Sequence, residues 1–240
     1  MGISETSLAG HINAQDWPAI ESELDSQGSA LVGPIITAEQ CRELRGAYDT
    51  AGLYRKKIVM ARHGFGSGEY QYYAYPLPRL IAELRIYLYP HLAKVANRWN
   101  EALGMDVRFP ADHETFKSRC HQAGQDKPTP LILRYETGDY NCLHQDLYGE
   151  HVFPLQAAIL VSEPERDFTG GQFVLTEQRP RKQSRAEVVP LALGQGVIFA
   201  VHQRPVLGSR GYYRVNMRHG VSRIRSGERF TVGIIFHDAK

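Results

Sequence analysis

Apolar positions change their spacing about halfway along the chain. Over the first hundred residues they recur at helical intervals: Leu80, Leu84, Tyr87, Leu88 and Leu92 share one face of a helix predicted to follow Pro78, which Pro90 should kink or divide. Thr37, with Gln40 three positions on, has the spacing of a capping box and predicts a helix through Glu43, Leu44 and Tyr48. Between the helical stretches, Ser29-Ala30-Leu31-Val32 reads as a short strand closed by Gly33-Pro34. From about Leu131 short β-type runs take over: Leu131–Tyr135, Leu155–Ser162, Gln172–Thr176, Ala186–Leu191, Gly196–Val201, Tyr213–His219 and Phe230–Phe236. Turn residues separate them, among them Thr169-Gly170-Gly171 and Gly194-Gln195-Gly196. Helices first and regularly spaced strands afterwards predict an α+β, mainly β chain, an antiparallel barrel or sandwich with helices packed on one side. One domain over residues 1–240 is expected, with 1–130 as helical support and lid and 131–240 as the strand-built core. There is no internal repeat and no low-complexity tract.

Composition narrows this little: 240 residues, 42% apolar and 22% charged, describe an ordinary globular protein with one well-buried core. The longest apolar runs, Gln156 to Val161 and Gly196 to Val201, are too short for a bilayer. The N-terminus lacks the basic flank and apolar stretch of a secretory signal, and although Met1-Gly2 with Thr6 fits the loose myristoylation pattern, no other membrane feature accompanies it. Three scattered cysteines (Cys41, Cys120, Cys142) without a C-x-x-C pair argue against a disulfide framework or zinc ribbon and for a reducing, cytoplasmic setting. Cys142 stands two residues before His144 and reads as a free buried cysteine in preference to a soft metal ligand. No obligate protein partner is evident. Charge changes the picture more. Residues 1–50 carry two basic and eight acidic side chains, whereas residues 166–229 carry twelve basic and four acidic ones, so one face is expected to meet a polyanion.

The candidate chemistry centres on His144-Gln145-Asp146. In a strand, residues i and i+2 project from one face, so the imidazole and the carboxylate reach one point. With a histidine from a distant strand they make a two-histidine, one-carboxylate facial triad, which leaves three cis positions open and suits non-haem Fe(II). His202, His219 and His237 all follow β-runs and compete for the third place. A bidentate 2-oxoacid on such a centre needs a fixed cation for its far carboxylate, and the planar fork of arginine matches a carboxylate best. Arg229 follows His219 by ten positions, while Tyr212 stands ten after His202 and the chain stops short of ten after His237. If Arg225-Ser226-Gly227 is a three-residue hairpin loop, Arg223 pairs with Arg229 and both share the interior with His219; a two-residue turn aims Arg229 outward. Arg223 is the reserve candidate.

His144-x-Asp146, His219 and Arg229, in that order across a run of strands, resemble the 2-oxoglutarate/Fe(II) dioxygenases with a double-stranded β-helix (jelly-roll) fold. The segment Arg134 to Gly138 through Leu143 to Asp146 is similar to the AlkB-type nucleic-acid dealkylases; that resemblance implies that Tyr135, nine residues before His144, contacts 2-oxoglutarate. Arg62 to Tyr70, Gly170 to Phe173, Glu177 to Arg185, His219 to Arg223 and Ile235 to Asp238 resemble one bacterial branch assigned to oxidative repair of alkylated DNA. The resemblance therefore implies Fe(II), 2-oxoglutarate and O2, and nucleic acid, DNA favoured, as substrate. The ten-residue spacing and Gly170-Gly171 are nearer the prolyl-hydroxylase pattern, so a peptide or small-molecule hydroxylase with the same cofactors stays open. Two features point to nucleic acid: the basic stretch Arg179, Arg181, Lys182 and Arg185, and a glycine- and tyrosine-rich lid from Gly64 to Pro76. Arg62, His63, Tyr70 and Tyr72 are its expected substrate contacts.

Overall fold

The computed structural model describes residues 7–147 and 149–240, so Met1-Gly2 and Thr6 lie outside the described residues. The chain opens with α1 (Leu8–Asn13), α2 (Trp17–Gln27), β1 (Ser29–Val32) and α3 (Ala38–Gly46). Next come β2 (Tyr54–Val59), a short 3-10 turn (Met60–His63), β3 (Gly66–Ser67), β4 (Glu69–Tyr73), α4 (Arg79–Ala102) and α5 (His113–Gln122). Then follow β5 (Leu131–Glu136), β6 (Tyr140–His144), β7 (Leu155–Leu160), β8 (Phe168–Gly170) and β9 (Phe173–Gln178). The last five strands are β10 (Arg185–Val189), β11 (Gly196–Ala200), β12 (Gln203–Gly208), β13 (Gly211–Val221) and β14 (Ile224–Ile234).

Two antiparallel sheets face each other. The larger runs β1-β11-β7-β14-β5-β4-β2, with β8 on β14; the smaller runs β10-β9-β13-β6-β3, with β12 on β13. This is the double-stranded β-helix that the resemblance implied. Strand parity divides the large sheet: Leu155, Ala157 and Ile159, Ile198 and Ala200, and Phe230, Val232 and Ile234 pack under the helices with Ile20, Leu84, Leu88 and Trp99. The alternate positions face the small sheet, where Ala158, Val197 and Phe199 meet Phe173 and Leu175. That layering explains why β7, apart from Gln156, and β11 read as apolar runs: both faces are covered.

The capping box is present, with Gln40 N donating to Thr37 Oγ1 (3.2 Å) and Thr37 N to Gln40 Oε1 (2.9 Å). Three expectations need correction. Pro90 does not divide α4, which runs unbroken over 24 residues; the carbonyl deprived of a donor belongs to Ile86, a residue 46% exposed. Residues 1–130 are more than support, because β1 pairs with β11 and β4 lies between β5 and β2 in the large sheet. And no hairpin turns at Arg225-Ser226-Gly227: β14 passes straight through it, β8 pairs with it, and β13 and β14 belong to different sheets. The chain crosses between sheets at Ser222-Arg223. Among the described residues no helix is long and apolar enough to cross a membrane.

Candidate active site

His219 and His144 are directly opposed on β13 and β6, but the next pair is Val221 with Asn141, two residues on one strand against three on the other. The extra residue is a bulge that leaves Cys142 and Leu143 exposed and turns both Asn141 and His144 toward the interior. Gly220 makes it possible. A Cβ there would lie 2.7 Å from Asn141 O, so no side chain fits against the bulged backbone. β6 stops at His144 and Asp146 follows two residues beyond, so the pair does not lie within one strand as the spacing suggested.

His144, Asp146 and His219 present ligand atoms all within 4.8 Å of one another. His144 Nε2 is 3.5 Å from Asp146 Oδ1, and His219 Nε2 is 3.4 Å from Asp146 Oδ2. Ligand atoms about 2.1 Å from a common ion and at right angles to each other stand about 3 Å apart, so each imidazole stands within about half an ångström of the separation from the carboxylate that a shared ion requires. His144 Nδ1 bonds to Cys142 O (2.8 Å), which leaves Nε2 for a metal. His219 is held by rings instead, with centroids of Phe199 at 4.6 Å, Phe173 at 5.9 Å and His144 at 4.2 Å, and its Nδ1 has no partner among the described residues. Burial alone would raise the Asp146 pKa, but the hydrogen bond and charge of His219, His144 and Gln156 together hold it well below the usual carboxylate range. Burial, and then His144, push His219 down. Both settings keep the ligands in their metal-binding protonation states.

A cavity of about 220 Å³ opens over the triad, lined by Tyr70, Leu133, Tyr135, Asn141, Gln156, Phe173, Phe199 and Arg229 among others. Arg229, 1% exposed, lies on the interior parity of β14, so its burial is owed to the sheet pairing and not to a hairpin. Its Nη1 donates to Thr231 Oγ1 (2.5 Å) and its guanidinium carbon stands 5.8 Å from the Tyr135 ring centre and 5.7 Å from that of Phe168. Among the described residues no carboxylate pairs with it, Nε has no partner, and burial lowers its pKa to about 10. A buried cation beside an open cavity and without an anion is a site for one. Tyr135 is fully buried beside it, its pKa raised by burial. Arg223 is exposed and does not line the cavity.

The other expected contacts are scattered. Tyr70 lines the cavity, but Tyr72 is buried on the large sheet with Arg55 4.4 Å over its ring, so it is no base platform. Arg62 and His63 are exposed on the 3-10 turn. Arg179 is tied to Glu177 Oε1 (2.6 Å) and Arg185 to Gln27 Oε1 (2.9 Å), leaving Arg181 and Lys182 exposed. That loop follows the end of β9 opposite to Phe173, about 17 Å along the strand from the cavity. Cys142 is exposed, not buried, and its thiol is outside the donor set. His202 is half-buried and His237 belongs to a different buried cluster. Gln156 and Phe65 are the residues sequence reasoning missed. Gln156 is the lone polar residue in Leu155–Leu160, a signal that was there to be read.

Fold and site together define a 2-oxoglutarate- and Fe(II)-dependent oxygenase. Residues 68–239 match the Oxygenase-NA family, described as an oxygenase catalysing oxidative methylation of damaged DNA, and the chain belongs to that family. It is 51% identical over 164 residues, 68% of its length and 70% of theirs, to two uncharacterized proteins of Mycobacterium tuberculosis, Rv2227 and MT2286. Solved structures share the fold at low identity. A Pseudomonas putida prolyl-4-hydroxylase superposes with TM-score 0.55 at 13% identity, over 93% of this chain and 100% of that one. A Burkholderia pseudomallei oxidoreductase of the 2OG-Fe(II) oxygenase family gives 0.52 at 14% (95% and 94%), and SnoN, an alpha-ketoglutarate-dependent epimerase from nogalamycin biosynthesis, 0.54 at 13% (90% and 80%).

Proposed function

We propose that this oxygenase oxidises an alkyl group on a nucleic-acid base, DNA in the first instance, with Fe(II) on His144, Asp146 and His219. 2-Oxoglutarate is held by its far carboxylate on Arg229, beside Tyr135. The observation that carries the cofactor part is the buried, anion-less guanidinium of Arg229 in the same cavity as the triad. When bound, the iron would activate O2, with 2-oxoglutarate giving up CO2 to become succinate and taking one oxygen atom while the other hydroxylates a C–H bond; on an N-methyl group the product would lose formaldehyde. The chain's own residues do the rest. Arg229 and Thr231 orient the dicarboxylate, Leu133, Phe173 and Phe199 exclude water, and the bulge at Cys142-Leu143 fixes His144.

Phe65 supports the base. It lines the cavity yet is 45% exposed, and the His63 ring stacks on it at 5.3 Å and 23°. Its backbone is fixed, because Phe65 N donates to Met60 O (3.2 Å) and Phe65 O accepts from Cys142 N (2.9 Å). A rigid aromatic pair at the rim suits an unstacked base. The exposed Arg62 beside it supplies a phosphate contact. The experiment is anaerobic loading of Fe(II) and 2-oxoglutarate, followed by oxygen, with methylated oligonucleotides in one arm and proline-containing peptides in the other. The expected result is a visible charge-transfer absorption on loading, absent in Asp146→Ala, and formaldehyde only with oligonucleotides. Hydroxylated peptide without formaldehyde replaces the base reading with a hydroxylase; full turnover in Asp146→Ala removes the metal assignment.

A further inference from the structure

β7 is Leu-Gln-Ala-Ala-Ile-Leu, buried along its whole length, and Gln156 is its one polar side chain. An amide in that position is costly to bury unless it is hydrogen-bonded. Gln156 spends its amide nitrogen on the triad: Nε2 donates to Asp146 Oδ2 (2.9 Å) and stands 3.3 Å from His219 Nε2. It reaches them from the opposite sheet, since β7 belongs to the large sheet while His144 and His219 sit on the small one. It is thus the side chain that ties the two sheets together at the donor set. Its other end is unspent, for among the described residues Oε1 is buried without a partner and the residue, 6% exposed, lines the cavity.

We infer that Gln156 is a positioning residue for the metal, a role that rests on the triad reading above. By donating to Oδ2 of Asp146, Gln156 fixes the rotation of the carboxylate that His144 Nε2 and His219 Nε2 face at 3.5 and 3.4 Å. Metal ligands held by a neighbouring hydrogen bond lose about ten- to a hundredfold in metal affinity when that bond is removed. The orphaned Oε1 accepts only from a donor, so it selects a water or a substrate N–H in the cavity over the donor-less dicarboxylate.

Gln156→Met keeps length and volume while deleting both ends of the amide. Mn(II) alone, titrated calorimetrically into apoprotein, should bind Gln156→Met ten- to a hundredfold more weakly than the native chain, while the melting temperature of the apoprotein stays level or rises. A purely structural role predicts the opposite pattern, a lowered melting temperature with Mn(II) affinity intact, and that result overturns the inference. Gln156→Glu decides the matter if the methionine variant does not fold. Its added carboxylate should hold Mn(II) yet alter the charge-transfer absorption of the Fe(II)/2-oxoglutarate complex, and an unaltered spectrum at native affinity also overturns it. Failure of the native chain to bind Mn(II) would instead sink the triad reading, so the two are separable.

Discussion

Two buried clusters in this molecule are built from the same residue types, and only one of them is a site. Behind the large sheet, Arg85 Nη2 donates to Asp238 Oδ1 (2.8 Å) and Phe236 O (2.7 Å), and Asp238 Oδ2 accepts from Tyr75 OH (2.7 Å) and His121 Nε2 (2.8 Å). His113 Nε2 meets Phe236 O (2.9 Å), and His237 Nδ1 accepts from Phe153 N (3.2 Å). There Arg85, Asp238 and His121 pair with one another, His113 and His237 bond to backbone, and the cluster binds the C-terminal residues to α4 and α5, with Arg85 Nε alone of the arginine's nitrogens left over among the described residues. In the cavity, among the described residues, Arg229 has no anion, His219 Nδ1 and Gln156 Oε1 have no partner, and three ligand atoms lie within 4.8 Å of one another. Histidine and carboxylate do not mark a site by their presence. Unspent hydrogen-bonding capacity beside an opening does.

The contrast breaks most sharply at its two arginines. Arg85→Met strands the buried Asp238 carboxylate and should cost about 3–5 kcal/mol in unfolding free energy, read by denaturant titration. A loss under about 1 kcal/mol would mean the rear cluster is not the fastening described here.

Acid probes the same cluster with a somewhat smaller effect. Burial holds the folded pKa of His113 near about 3 and that of His237 near about 4, both below the ordinary 6.5. The unfolded chain therefore binds more protons below 6.5, so this contribution is whole above that pH and drains away as pH falls toward the folded values. Between pH 7 and pH 5 each histidine should subtract about 2 kcal/mol, for a total of up to about 4 kcal/mol, and replacing both by glutamine should flatten the profile.

The smallest shift belongs to the other arginine and runs the other way. Arg229→Met removes a cation that no anion offsets, so apoprotein stability should hold or rise. The concentration of 2-oxoglutarate needed for half-maximal turnover should increase about ten- to a hundredfold, the size of one charge-assisted hydrogen bond of about 1.5–3 kcal/mol. A drop in stability comparable to that of Arg85→Met, with 2-oxoglutarate binding unchanged, would make the two clusters alike.

Much of the site was legible along the chain because metal ligation restricts residue type so severely. His144, Asp146, His219, Arg229 and Tyr135 were named from motif spacing and resemblance, and the structure gathers all five around one cavity. Arg229 was reached from its ten-residue spacing after His219; the hairpin register offered in support does not exist, though it gave the same parity as the true pairing of β14 with β5 and β7. The tyrosines fared worse, since alternation in Gly64–Pro76 says which residues share a face but not which face is covered.

The sequence by itself determined the elements with strong local codes: the capping box at Thr37, the closed strand Ser29–Val32, the apolar runs of β7 and β11, and the ligand motif. Local hydrogen bonding and strand period act within a few residues, so they are written in the chain. Only the tertiary structure decided that a bulge opposite Gly220 aims Asn141 and His144 together, that Arg223 stays outside while Arg229 is enclosed, and that Gln156 crosses from one sheet to the ligands on the other. Those outcomes depend on which strands pair and on what covers each face. Pairing between strands far apart in sequence is settled by packing over the whole core, which no short stretch of sequence contains.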